Sequence, residues 1–201
     1  MSAGPAGEII DAAPRRRPMR ADALKNRQRI LEAAAEVFAA QGVAVPIDLV
    51  AERAGVGVGT LYRHFPTKEA LFEAIVTIKV ADLALATQQA ARDEDPGRSL
   101  FGFIGLLAAE AADKQDLFDA LDGAGVDVKM RCAGTIEQLE AGIDHLLARA
   151  AAAGAVRDDV GADDVIGVVI GTCHSARRMG GGPETMERLL GIFCEGLRAS
   201  P

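Results

Sequence analysis

Apolar residues recur at three- and four-residue steps along almost the whole chain, and no stretch alternates apolar with polar as a half-buried strand would. That period restricts the fold to packed helices. Ile30, Leu31, Ala34, Val37 and Phe38 make one face of a first helix over about residues 22–41, with Asp22 as its expected cap and Gly42 as a left-handed stop. Pro46 suits the first turn of a short second helix over 46–54, because the amide it lacks would have no partner there. Gly55 breaks that helix, and a third short one runs to about Phe65. Pro66 pushes the residue before it out of helical geometry. Thr67 is then placed to cap a fourth helix reaching about Ala91, with Glu69 in its first turn and Leu71, Phe72, Ile75 and Ile78 as its buried stripe. After the break Asp93-Glu94-Asp95-Pro96-Gly97, five more helices are expected near 99–112, 114–121, 127–153, 163–179 and 184–199. The expected fold class is all-α, with about nine helices and no internal repeat.

With 201 residues and 49% hydrophobic content, the chain can bury a sizeable core without disulfides or metals. Residues 1–14, rich in Ala, Gly and Pro, read as disordered, and the expected Arg-rich tail extends to residue 20. Arg15, Arg16 and Arg17 are followed by no apolar run of signal-peptide or membrane-span length, so the expected location is cytoplasmic. Cys132, Cys173 and Cys194 are odd in number and widely spaced, which points to buried, reduced thiols. The net charge of −7 is unevenly spread: ten basic against seven acidic residues up to Lys68, then twelve against twenty-two. Seven of the basic residues (Arg15, Arg16, Arg17, Arg20, Lys25, Arg27 and Arg29) lie within residues 12–31 beside one acid, Asp22. An acidic body repels a polyanion, so any nucleic-acid contact must lie at the N-terminal end.

The informative stretch is IDLVAERAGVGVGTLYRHFPTKEAL, residues 47–71. A helix-turn-helix needs a small residue where two short helices cross, a glycine free to take positive φ at the turn, and an apolar anchor pointing from the second helix into the core. Ala51 is the small contact, Gly55 the turn, and Val50, Ala54, Val56 and Leu61 the anchors. The second helix then turns its outer face to the major groove. That face carries Val58, Gly59, Thr60, Tyr62, Arg63 and His64, with Gly57 and Gly59 able to let backbone approach phosphate closely. Lys68 lies beside the same surface, placed as a phosphate clamp.

The run GTLYRHFPTKEAL, preceded by AERAGV and by a first helix ending in VFAAQG, resembles the signature of the TetR family over about residues 24–75. The resemblance implies a helix-turn-helix DNA-binding domain over 21–66 and a larger regulatory and dimerisation domain over 67–201. It implies that Thr60 and Tyr62 contact phosphate, that Val58, Gly59 and Arg63 face bases, that His64 ends that surface, and that Lys68 matches the usual lysine of the fourth helix. One departure stands out: Pro46 occupies a position where family members often carry Ser or Thr, and Asp48 nearby would repel phosphate unless it caps its own helix. The resemblance further implies a homodimer, paired through its last two helices, that binds double-stranded operator DNA and is released by an unidentified small-molecule effector.

The remaining chain permits this. Ile166, Val169, Ile170 and Cys173 share one face, with Gly167 and Gly171 allowing close approach of a second subunit. His174 and Arg177 continue that stripe and fit either a dimer seam or a polar ligand, the seam being favoured. Phe101, Phe103, Phe118, Met130 and Leu147 are candidate pocket residues, although apolar residues so spaced also serve as plain core. His145, His174 and the cysteines lack metal-binding spacing, so no metal or cofactor is expected. No nucleophile-plus-base grouping, paired acids or phosphate loop marks an enzyme. The competing expectation is a constitutive or architectural DNA-binding protein without a small-molecule ligand. Operator sequence, target genes, effector identity and the sign of regulation lie beyond what residues alone specify.

Overall fold

The structure, a computed structural model, describes residues 16–125 and 132–199. Among them are the helices α1 (Arg16–Gln41), α2 (Ile47–Ala54), α3 (Val58–His64), α4 (Lys68–Ala90), α5 (Pro96–Asp113), α6 (Gln115–Gly123), α7 (Ala133–Ala152), α8 (Ala162–Arg178) and α9 (Pro183–Leu197). The described residues hold no strand. One isolated antiparallel bridge, Val156 with Arg198, ties the end of α9 to the loop before α8.

Local chemistry explains most boundaries. Gly42 closes α1 at φ 77°, its amide donating to the Phe38 carbonyl at 2.9 Å. Thr67 starts α4 by accepting from the Ala70 amide at 3.1 Å. Two starts differ from expectation. α1 begins at Arg16, so Asp22 lies inside the helix rather than capping it, and Arg16, Arg17 and Arg20 are helical rather than part of a disordered tail. Pro18 is the third residue of this helix, and its missing amide costs no bond because the first four amides have no helical acceptor. α5 begins at Pro96 rather than near residue 99, because Asp95 accepts from the Arg98 amide at 3.0 Å and Pro96 is pre-set for a first helical turn. For α7, the expected start at residue 127 falls outside the described residues.

α1 packs on α2 and α3 to form an N-terminal head, and α4 runs from beneath it into the remaining helices, with α7 as its principal partner. At that crossing the backbones come close: a Cβ added to Gly142 would lie 2.0 Å from Thr87 Oγ1. Thr77 Oγ1 and Cys132 Sγ meet at 3.1 Å near the start of α7. α5 lies between α4, α7 and α8, and α9 packs on α8. The core is continuous from Ile30 in α1 to Leu197 in α9, so head and body share one apolar interior.

Candidate nucleic-acid interface and ligand cavity

The head is held by a few small and apolar contacts. Val50 and Leu61 are fully buried and Ala51 is 1% exposed where α2 meets α1 and α3. Burying a side chain such as Leu61 is worth about 1.5–3 kcal/mol, enough to fix which face of a seven-residue helix turns inward. Between α2 and α3, Gly55 adopts φ 65°, and the Val56 amide reaches back to the Ala51 carbonyl at 3.0 Å. A side chain is disfavoured there by backbone conformation. The guanidinium of Arg29, from α1, also occupies the space beside it, with Nη2 at 2.6 Å from the site of an added Cβ.

With Leu61 anchored inward, the opposite face of α3 is open. Tyr62 is 45% and Val58 38% exposed; Gly59 and Arg63 are exposed, and Thr60 and His64 half-buried. A Cβ added at Gly57 or Gly59 would meet nothing, so the backbone at the start of α3 is approachable from outside. His64 leans toward Phe65, ring centroids 6.4 Å apart, while Arg27 from α1 covers the Phe65 ring at 5.1 Å. Six of the seven sequence-predicted contact residues thus share α3. The seventh, Lys68, is more constrained than a free phosphate clamp: it is half-buried and its ammonium donates to the Val45 carbonyl at 2.6 Å, tying α4 to the loop before α2. Asp48 lies exposed in the first turn of α2, where the helix dipole favours it.

A second feature lies in the body. A cavity of about 320 Å³ opens among α4, α5, α6, α7 and α8, walled by apolar residues such as Val80, Leu83, Leu107, Phe118 and Ile166. Of the residues expected at a pocket, Phe118 and His174 line it. The others are placed elsewhere. Phe103 and Leu147 are buried in the core, 3% and 4% exposed. Phe101 lies beneath the Arg198 guanidinium at 4.9 Å, Arg177 reaches the carboxylates of Asp116 and Asp119 on α6, and Met130 falls outside the described residues. Spaced aromatic residues on α5 were claimed by packing, which periodicity alone does not separate from a pocket lining.

The cavity also holds polar groups that sequence reading overlooked: Lys79, Glu110, Lys114, Gln115, Glu140 and Asp163. A signal was available. Glu110 follows Leu107 by three residues on the buried stripe of α5, and Lys114 follows Glu110 by four, so both extend an apolar face with charge. Burial pushes the Lys114 ammonium below the usual lysine range, with the Glu110 carboxylate pulling the other way. Gln115 is 5% exposed, and its Nε2 lies 2.8 Å from Asp119 Oδ1 and 2.9 Å from His174 Nε2. Asp119 only accepts, so the amide nitrogen must face it. His174 Nε2 is then the acceptor, and the ring proton sits on Nδ1. Among the described residues no cluster of three or more His, Cys, Asp or Glu side chains could hold a metal ion, and no helix is long and apolar enough to cross a membrane.

Three helices with an outward-facing third, carried on a larger helical body with a cavity, define the helix-turn-helix class of DNA-binding regulators. Comparison with known proteins narrows this. Residues 30–75 match the bacterial regulatory proteins of the tetR family, and residues 95–199 match the C-terminal domain of SbtR-like transcriptional regulators. A TetR transcription regulatory protein from Mycobacterium vanbaalenii, solved by crystallography, is 38% identical, with 90% of this chain and all of that one covered at a TM-score of 0.68. The regulator SCO0520 from Streptomyces coelicolor is 30% identical over 87% of this chain and 99% of its own, at a TM-score of 0.65. The HTH-type transcriptional repressor KstR from Mycobacterium tuberculosis is 32% identical over 137 residues, 67% of this chain, and the match spans 62% of KstR's length. The chain belongs to the TetR family.

Proposed function

We propose that this protein is a cytoplasmic, homodimeric repressor that reads double-stranded operator DNA through α3 and is released when a small-molecule effector occupies the cavity of the body. The observation that carries the DNA-binding half is the split of α3 into a fully buried Leu61 and an exposed row of Val58, Gly59, Tyr62 and Arg63. In this reading Arg63, Val58 and Gly59 face base edges, Thr60 and Tyr62 hold phosphates by their hydroxyls, and His64 ends the surface. Lys68 keeps Val45 with one of its donors and offers the others to phosphate. Arg16, Arg17 and Arg20 belong to the first turns of α1.

One seven-residue recognition helix supplies few contacts, so two heads would read half-sites about 34–36 Å apart, or a multiple of that. The face expected for the seam is used inside the subunit instead, with Val169 and Cys173 buried in the core and Ile166 lining the cavity. The dimer surface is therefore proposed on the residues of α8 and α9 left open: Val168, Ile170 and Ile192, 41%, 43% and 66% exposed, with open space beside Gly167 and Gly171. An effector acts only through its difference in affinity between the DNA-binding and released arrangements. In this reading α4 transmits that difference. Its Ile75 and Ile78 border a groove against Leu24 and Leu31 of α1, Val76 and Val80 wall the cavity, and Lys79 borders both.

The test is selection of bound fragments from the parent genome, followed by gel shift of the best one with and without candidate effectors. A regulator should prefer its operator over arbitrary DNA by about 10³ or more. Equal retention of all fragments would instead mark an architectural binder, and an operator complex that no metabolite releases would mark a constitutive one.

A further inference from the structure

The charges lining the cavity are unevenly satisfied. Lys79 pairs with Asp82 at 3.7 Å, and Lys114 pairs with its neighbour Asp113, so both cations already face carboxylates of the protein. Gln115 is committed to Asp119 and His174. Glu110 is different: its Oε2 is fully buried and accepts no hydrogen bond. A buried acceptor left unmade is costly, and more so on a carboxylate, because neither water nor protein replaces the lost solvation. Beyond these groups the described wall carries the carboxylates of Glu140 and Asp163 among apolar side chains, and neither carboxylate can donate to Glu110. At about 320 Å³ the space lies at the small end of ligand sites.

Resting on the effector-cavity reading above, we infer that the ligand is a small, largely apolar molecule carrying a hydrogen-bond donor, a hydroxyl or an amine, that the Glu110 carboxylate on the cavity wall accepts once it turns toward the space. Its apolar part lies along Val80, Leu83, Leu107 and Phe118. An anionic head group is disfavoured: it would face Glu110, and the two cations among the described lining residues, Lys79 and Lys114, are already paired with Asp82 and Asp113. Among the described residues of the wall Glu110 Oε2 is the buried acceptor left unmet, and a donor that cancels it makes the site selective for donor over acceptor. Sites that bury a polar group reject ligands lacking its partner far more strongly than apolar walls reject a wrong shape.

The test uses the full chain and three probes of equal length, 1-decylamine, 1-decanol and decanoate, read by the shift in Tm and by isothermal titration calorimetry. Decylamine or decanol is expected to raise Tm and to bind at least about tenfold more tightly than decanoate. The isosteric E110Q exchanges one acceptor for a donor, so it should lose that preference and gain on decanoate, while Ala111→Phe, which fills the space from the wall, should weaken all three. Whichever of amine and alcohol binds better assigns the charged or the neutral donor, and either supports the inference. Decanoate binding the native protein as well as the other two overturns the donor assignment and leaves the effector cavity standing. If no probe shifts Tm or gives heat, and Ala111→Phe behaves as the native chain, the cavity reading itself falls and the inference falls with it.

Discussion

Leu61 and Tyr62 are adjacent in the chain, yet one is fully buried and the other nearly half exposed. Most of the site follows from that contrast. Leu61→Ala should cost about 2–5 kcal/mol by denaturant unfolding and abolish operator binding together with the fold of the head. Arg63→Ala touches no core. If it reads a base it should relax discrimination at one operator position by about 1–3 kcal/mol in a competition gel shift, whereas uniform loss across sequences would make it a phosphate contact. The thiols give a pH test. Burial pushes both Cys173 and Cys194 above the ordinary thiol range, so ionisation is easier in the unfolded chain. Their contribution to stability is complete below the unfolded thiol value and is lost as pH rises through the raised native one. Iodoacetamide labelling of the native protein, followed by mass spectrometry, should be slow at neutral pH and quicken above the normal thiol range; fast neutral labelling would contradict it. At this scale the anchors were legible because helical spacing alone separates Leu61 from Tyr62 and Arg63. Glu110 and Lys114 were not, because a charge at the end of an apolar stripe reads equally as a solvated helix edge.

Single helices depend on their ends and crossings. Thr67→Ala removes the acceptor for the Ala70 amide and should lower stability by about 1 kcal/mol, seen as a lower thermal midpoint. Gly142→Ala drives a methyl into Thr87 at the crossing of α4 and α7, and overpacking of that kind costs about 1–3 kcal/mol. An unchanged unfolding curve would mean that the two helices can part without penalty. Gly42 and Gly55 were readable in advance because only glycine enters the left-handed region freely, and both take positive φ. The start of α1 was not. Asp22 is an apt cap by type, but an arginine-rich turn tolerating Pro18 continues the helix upstream to Arg16, and cap preference yields to continuation where the flanking residues are themselves helix formers. Asp95 was the converse: counted as part of an acidic break, it caps α5.

Taken whole, the molecule is polarised: a basic head on an acidic body, with an apolar face left open on α8 and α9. If the proposed dimer seam lies on α8 and α9, Ile192→Asp should give monomers in analytical ultracentrifugation without disturbing the monomer fold, since the side chain is 66% exposed. Losing the linked second head should weaken operator binding by roughly 10²–10⁴. A variant that remains dimeric places the seam elsewhere. The order of helices and the head could be followed from periodicity, whereas the cavity depends on how five successive helices pack against one another and leave a gap, and no local pattern encodes a gap. One further consequence concerns grafting. The seat for the head and the wall of the cavity occupy the same stretch of α4, with Ile75 and Ile78 on one side, Val76 and Val80 on the other, and Lys79 common to both. A chimera spliced at Pro66, ahead of that helix, would marry a borrowed reading head to a foreign seat. On the proposed effector reading, a hybrid meant to stay responsive is better cut beyond α4, in the turn around Asp93, so that the recipient inherits the whole helix with its head.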